Sequence, residues 1–277
     1  MSDLSPAPEP AKPLTRHDLY ELCVVSPSHL VPLLIAVHGG DGHRAPKHLA
    51  EDFAGTACLC NRWVSDVPGG TSTGIDLDAE TLHYHSPIEG VTKIVGDVLD
   101  AAGLDPTKAD IVHAGNFSIG YMHTRDDLVR YMILARKRLA PGGVFLCDTY
   151  GGESTFITGT VHRDHPIPEG PHKGKRVRYT WEQRDADPLT GMVTNVLHFR
   201  IEHRGVIEEE YFDAFTYRWR LWSVPELRDA MLEAGFTRTD VYAKLPDAVD
   251  GDGKAYINPV TDPDELDESF IVLVAGR

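Results

Sequence analysis

From residue 48 to residue 152, short apolar runs that read as strands alternate with runs of helical spacing. The runs at 48–53, 72–76, 91–95 and 111–114, and a fifth beginning at 144–146, are strand-like. The stretches 56–64, 79–84, 97–102 and 126–139 are helical, the last with apolar residues at Leu128, Tyr131, Met132, Ala135 and Leu139. Strands separated by helices cannot pair as hairpins. They pair in parallel through right-handed crossovers, so the pattern predicts a doubly wound α/β sheet with helices on both faces. Pro141-Gly142-Gly143 reads as a turn before the fifth strand.

The flanks carry different signals. Met1 to Pro13 is rich in Pro, Ser and Ala, has no basic segment, and reads as a disordered tail rather than a secretory signal. Thr15 and Asp18 form a capping-box pattern before Leu19, Leu22 and Cys23, and a second helix over 30–37 is expected to stop at Gly39, Gly40 and Gly42. After Gly151-Gly152 the rhythm breaks: 153–175 reads as loop, and 177–182 and 192–201 as a hairpin turning at 187–191. Residues 206–217 are expected to add a third antiparallel strand. A helix over 224–234 ending at Gly235, strands at 237–243 and 270–274, and an Asp/Gly/Pro-rich loop over 246–267 close the chain. The expected organisation is a tail (1–14), a helical cover (15–46), a core (47–152), an antiparallel β lid (153–222) and a closing part of the core (223–277).

Composition excludes several classes. A formal net charge of −15 over 277 residues repels phosphate backbones and anionic lipid heads, so neither nucleic acid nor membrane is expected as a partner. No apolar stretch reaches the ~18–20 residues needed to span a bilayer. Cys23, Cys58, Cys60 and Cys147 match no zinc spacing and read as buried thiols in a reducing compartment, which makes the expected location cytoplasmic. His162-x-x-His165 and His83-x-His85 lack a third ligand, and no metal is expected.

The chemistry concentrates where strands end. The first strand runs into Glu51-Asp52-Phe53-Ala54-Gly55-Thr56-Ala57, a small-residue turn that lets a ligand approach free N–H groups at a helix start. Asp76 ends the second strand and is suited to paired ribose hydroxyls. Asp97 follows the third and is suited to an exocyclic amine. Each residue also has a plainer reading: Gly55 closes a turn, Asp78 caps a helix, and Asp97 caps its own short helix.

This order resembles the class I S-adenosylmethionine-dependent methyltransferases. It runs from the Glu51 turn through Gly74-Ile75-Asp76-Leu77-Asp78, Gly96-Asp97-Val98 and Asn116-Phe117-Ser118 to Leu139-Ala140-Pro141-Gly142-Gly143. The resemblance covers about 49–152, and the closing stretch 227–241, with Glu233-Ala234-Gly235-Phe236, looks like the family's final helix and sixth strand. It implies a seven-stranded, mostly parallel, Rossmann-like sheet with an antiparallel last strand. It further implies S-adenosylmethionine as cofactor, with Glu51 holding the turn's N–H groups or the methionine amine, Asp76 the ribose, Asp97 with Val98 the adenine, and Asn116 the methionine end. Phe53, Ala54, Gly55 and Thr56 of the turn, Leu77, Phe117, Ser118 and a covering Tyr20 complete the implied set. Of the usual acidic-x-Gly-x-Gly-x-Gly pattern only Gly55 remains; Phe53 and Ala57 stand at the outer glycine places. The rival dinucleotide-enzyme reading asks for a fuller glycine motif.

The lid resembles those of glycine and aminosugar N-methyltransferases, which implies a small amine acceptor. The alternatives are an O-methyltransferase of a small phenol or carboxylate, or a non-catalytic S-adenosylmethionine-binding regulator; a homodimer is possible. In the lid, strand alternation sets Phe215, Tyr217 and Trp219 on one face and Arg218 and Arg220 on the other, with Tyr179 and Trp181 near the same space. Tyr217 and Arg218 are the candidate acceptor contacts. Candidate bases are His113, His123, Tyr121 and Tyr150, with His123 favoured and His113 read as a satisfied core residue.

Overall fold

A computed structural model describes residues 12–39 and 44–277. The central sheet contains β1 (His48–Asp52), β2 (Thr71–Asp76), β3 (Val91–Val95), β4 (Ala109–Ala114) and β5 (Leu139–Gly152), and a second, four-stranded sheet follows them in the chain. The second sheet is β6 (Gly159–Pro166), β7 (Lys175–Asp187), β8 (Met192–His203) and β9 (Val206–Arg220), in that order and all antiparallel. The chain then returns as β10 (Thr239–Ala243), a small hairpin of β11 (Ala248–Val249) and β12 (Ala255–Tyr256), and β13 (Ser269–Gly276). The central order is β10-β13-β5-β4-β1-β2-β3, with β13 antiparallel to both neighbours.

Successive strand residues sort to opposite faces, as a two-residue repeat requires. Leu49, Ile111, Val144 and Leu146 meet α2 (Pro27–Gly39) and α3 (Cys58–Asp66). Ala50, Val112 and Phe145 meet α6 (Arg125–Arg138) and α7 (Val224–Glu233). Each Leu- or Phe-sized side chain buried in these layers contributes about 1.5–3 kcal/mol. Short helices α4 (Ala79–Leu82) and α5 (Ala101–Leu104) follow β2 and β3. No single helix among the described residues is long and apolar enough to cross a membrane.

α1 (Arg16–Cys23) starts with the Thr15–Asp18 capping box and lays Leu19 and Cys23 against Val177, Tyr179, Leu197 and Phe199 of the second sheet. It also reaches the core: Thr15 Oγ1 is 2.6 Å from the Tyr84 hydroxyl, and Glu21 binds both Thr56 and His85.

Several sequence expectations need correction. The 153–175 segment is not all loop, since it contains β6, which is in register with β7 over eight residue pairs. Its side chains are almost all exposed, so no apolar alternation marked it. Pro141-Gly142-Gly143 lies inside β5, where a register irregularity against β4 absorbs Gly142 at φ 78°. The helix placed over 97–102 is a 3-10 turn, Val98–Asp100, followed by α5. α3 begins at Cys58 rather than Thr56, because Ala57 is left-handed. Of the expected tail, Met1–Ala11 lies outside the described residues, as do Gly40 and Gly42; Leu14 is no tail, for its carbonyl accepts the Tyr211 hydroxyl at 2.7 Å.

Candidate active site

The parallel strands β1, β2, β3 and β4 end side by side, and the residues singled out in the sequence follow those ends. Phe53, Gly55 and Ala57 have φ of 56°, 54° and 58°. All three glycine places of the motif therefore keep the left-handed backbone, although two carry side chains. A left-handed non-glycine residue costs about 1–3 kcal/mol, so the surrounding structure must hold the turn. It does so in two places. Ala54 N–H donates to the Ile75 carbonyl at 3.0 Å, and Gly55 N–H donates to Asp76 Oδ2 at 2.8 Å. Asp76 Oδ1 accepts from Asp78 N–H at 2.9 Å. Burial raises the Asp76 pKa, partly offset by these backbone donors.

The turn's N–H is thus held by Asp76 and not by Glu51, which corrects the first of Glu51's two expected roles. Glu51 is buried and takes a hydrogen bond from the Cys60 thiol at 3.2 Å; burial pushes its carboxyl up to about 8. Its neighbour Asp52 does structural work. At 0% exposure it pairs with Arg138 at 2.7 Å and accepts the Tyr131 hydroxyl at 2.7 Å, fastening β1 to α6.

Asp97 Oδ1 accepts from Leu99 N–H at 2.8 Å and caps the 3-10 turn, with Val98 buried beneath it. Leu77 is exposed beside Asp76. Asn116 and Phe117 are both left-handed, at φ 53° and 62°. Sequence reasoning missed what holds them: buried Asp148 accepts Phe117 N–H at 2.7 Å and Asn116 N–H at 3.2 Å, and Lys244 binds Asp148 at 2.7 Å. An Asp in the middle of an apolar strand was the available signal. Ser118 is buried at the start of the next 3-10 turn, Ser118–Tyr121.

Above this edge stands a wall of rings. Phe215, Tyr217 and Trp219 stack along β9, the last two with centroids 4.5 Å apart. Trp219 meets Phe117 at 6.0 Å and Tyr121 at 6.2 Å, and Tyr121 stacks on Phe53 at 5.7 Å. Tyr150 and Trp181 close on Phe117 at 5.1 and 5.7 Å. The Phe53 ring, standing where the motif has glycine, therefore joins the turn to the wall. Gly120 permits the approach of β9, since a Cβ there would lie 2.6 Å from Trp219 Cβ. Tyr20 faces Phe215 at 5.0 Å; burial pushes the phenols of Tyr20 and Tyr217 up.

The candidate contacts separate here. Tyr217 lies in the wall, whereas Arg218 is on the other face of β9 and exposed, so the two are not brought to one site. His123 is exposed at the rim, its Nε2 3.0 Å from the Arg218 carbonyl, a bond that ties the core to the second sheet. His113, read as a satisfied core histidine, is buried with no hydrogen-bond partner on either ring nitrogen. Among the described residues, Glu182, His198 and Asp213 lie close enough to hold a metal ion, on the face of the second sheet away from α1. Arg184 already pairs with both carboxylates.

No protein-family model matches the chain, and no curated protein matches it in sequence. Solved structures do match. The chain is similar to DesVI from Streptomyces venezuelae, with a TM-score of 0.65 and 18% identity over 96% of this chain and 99% of that one. It is similar to an amino pentose methyltransferase from Micromonospora echinaspora, solved with S-adenosylmethionine bound, at TM-score 0.62 and 16% identity over 97% and 99% of the two chains. A sugar N-methyltransferase from Streptoalloteichus matches at 0.59 and 15% identity over 100% and 97%. The chain has the class I methyltransferase fold, with the inserted antiparallel sheet expected from the sequence.

Proposed function

We propose that this chain is an S-adenosylmethionine-dependent methyltransferase acting on a small amine, of which an amino sugar is the best-supported kind. The observation that carries the reading is the Gly55–Asp76 bond: it holds a left-handed turn open at the carboxyl edge of a parallel sheet, directly beside a wall of aromatic rings. The acceptor class is supported by the amine- and sugar-modifying enzymes whose structures the chain resembles.

The residues fit a nucleoside with a charged amino-acid end. Asp76 keeps acceptor capacity for ribose hydroxyls while holding Gly55, and Asp97 has a second carboxylate oxygen for an exocyclic amine. When bound, S-adenosylmethionine supplies a methyl group on a positively charged sulfur. Tyr121, Tyr217, Trp219 and Phe117 close that side with packed rings, which exclude water from the displacement. Burial keeps the phenols of Tyr20, Tyr121, Tyr150 and Tyr217 protonated. They orient an acceptor by hydrogen bonding and do not take its proton. An amine that arrives neutral suits such a wall, because its lone pair is already free and positioning supplies much of the rate.

The test is calorimetric titration with S-adenosylhomocysteine, followed by methyl-transfer assays against amino sugars, simple amines, phenols and carboxylates. Binding with amine turnover supports the proposal. Turnover of phenols alone replaces the acceptor class, binding with no turnover favours a regulatory protein, and absence of binding sinks the reading.

A further inference from the structure

Beyond the ring wall, the end of β5, the turn between β7 and β8 and the start of α7 enclose an open cavity of about 440 Å³. Its apolar walls include Phe156, Leu189 and Phe270, and Arg220 and Glu226 supply the charges. Each wall is fixed by its own bonds. In the β7–β8 turn, Asp187 accepts Leu189 N–H at 2.9 Å and the Thr190 hydroxyl at 2.7 Å, and its carbonyl accepts Gly191 N–H at 2.8 Å. The Gly191 carbonyl takes Leu221 N–H at 2.8 Å, which fastens the turn to the chain after β9. Leu189 is thereby held at the cavity while 95% exposed. Buried Gln183 donates to the Thr155 and Ile157 carbonyls at 2.8 and 3.0 Å, on either side of Phe156, and accepts the Tyr150 hydroxyl at 3.0 Å. The Phe270 ring lies over Gly151, where a Cβ would come within 2.6 Å of it. Tyr150 belongs to both spaces: it lines the cavity, and its ring packs on Phe117 and Trp181 at 5.1 and 6.1 Å.

We propose that this cavity is a second part of the acceptor site, and that it takes an apolar or aromatic group joined to the amine-bearing ring. The chain then prefers an aryl glycoside of an amino sugar to the free sugar. A pre-formed concave space with apolar walls and a few placed polar groups is the usual form of a small-molecule site. Continuity through Tyr150 ties this one to the ring wall beside the cofactor edge. Its charges argue against an anionic substituent. Arg220 is already engaged by the His123 carbonyl and by the Trp222 ring at 3.9 Å, and Glu226 lies 3.8 Å from its guanidinium and offsets its charge. What remains to be satisfied is apolar surface on Phe156, Leu189 and Phe270, which a ring group covers.

The inference rests on the amino-sugar reading above, and the experiment separates the two. Calorimetry on the chain saturated with S-adenosylhomocysteine compares glucosamine, phenyl glucosaminide and the anomeric phosphate of glucosamine. Phenyl glucosaminide is expected to bind at least about tenfold more tightly than glucosamine, the gain that burying a phenyl-sized apolar group supplies. Leu189→Asp is expected to remove about tenfold of that gain while leaving glucosamine and S-adenosylhomocysteine within about twofold, and Leu189→Met to restore it. The melting temperature of Leu189→Asp should match wild type, because the side chain is exposed. Phe156→Ala should give the same selective loss from the opposite wall. Glucosamine binding with no gain from the phenyl group overturns the inference and leaves the amino-sugar reading standing. A preference for the phosphate, or equal losses for all ligands in both variants, also overturns it. Binding of none of the three overturns both readings.

Discussion

Gly55 N–H and Asp76 Oδ2 lie 2.8 Å apart, and this one bond joins the turn after β1 to the end of β2. It makes Asp76 both the clasp of the turn and a candidate ligand group. Asp76→Ala should therefore lower stability by about 1–3 kcal/mol, the cost of leaving a buried donor unpaired. It should also weaken S-adenosylhomocysteine binding at least about tenfold. Calorimetry and thermal melts on the same variant measure both, and wild-type affinity in the variant would remove Asp76 from the site.

Asp52 is expected to matter for folding and not for ligand contact. Its carboxylate is fully buried between Arg138 and the Tyr131 hydroxyl. Asp52→Ala leaves a buried guanidinium uncompensated, so denaturant unfolding should show a loss of about 3–5 kcal/mol. A change below 1 kcal/mol would mean water reaches Arg138.

Gly120 sets the distance between the two sheets' ring systems. Gly120→Ala places a methyl where Trp219 Cβ and the Arg220 carbonyl already are, at 2.6 and 3.1 Å. The expected cost is about 1–3 kcal/mol of overpacking. Tryptophan fluorescence should report a displaced Trp219, and an unshifted spectrum with full stability would contradict the tight approach.

The pH dependence of stability should carry the mark of Glu51. Its pKa is raised from 4.5 to about 8 by burial, with Asp76 and Asp52 adding to the rise and Cys60 opposing it. The folded chain then binds a proton that the unfolded chain has released. This contribution to stability is complete below about pH 4.5 and is lost as pH climbs through about 8. His113 acts in a lower window with the opposite sign. Its pKa is depressed to about 4, so its contribution is present above 6.5 and lost as pH falls toward 4. Between pH 6.5 and 8.5, the melting temperature of wild type should fall more steeply than that of Glu51→Gln. Parallel curves would refute the assignment.

Much of the central sheet could be read from local pattern. The four strand–helix steps, the Thr15 cap and the carboxylates at the ends of β1, β2 and β3 are local features, and a parallel sheet lines up their ends wherever the strands go. β6 escaped because its pairing rests on backbone bonds at an exposed edge, which leave no hydrophobic signature. Arg218 was named with Tyr217 as an acceptor contact although alternation already set the two on opposite faces of the strand, and β9 keeps them there. His113 was misjudged because its satisfaction depends on groups from other strands.

Taken alone, the order of residues determined the kind of sheet, the chain direction at its edges and the chemical types standing there, since these follow from periodicity and turn chemistry within a few residues. Only the tertiary structure decided which carboxylate clasps the turn and which braces a helix, and that Phe53 replaces a glycine without changing its backbone. It alone decided that Glu51 and His113 lie buried on one face of neighbouring strands, the first bound by the Cys60 thiol and the second without a hydrogen-bond partner. Those outcomes depend on contacts between residues far apart in the chain, where burial and partner geometry, rather than local preference, set the energy.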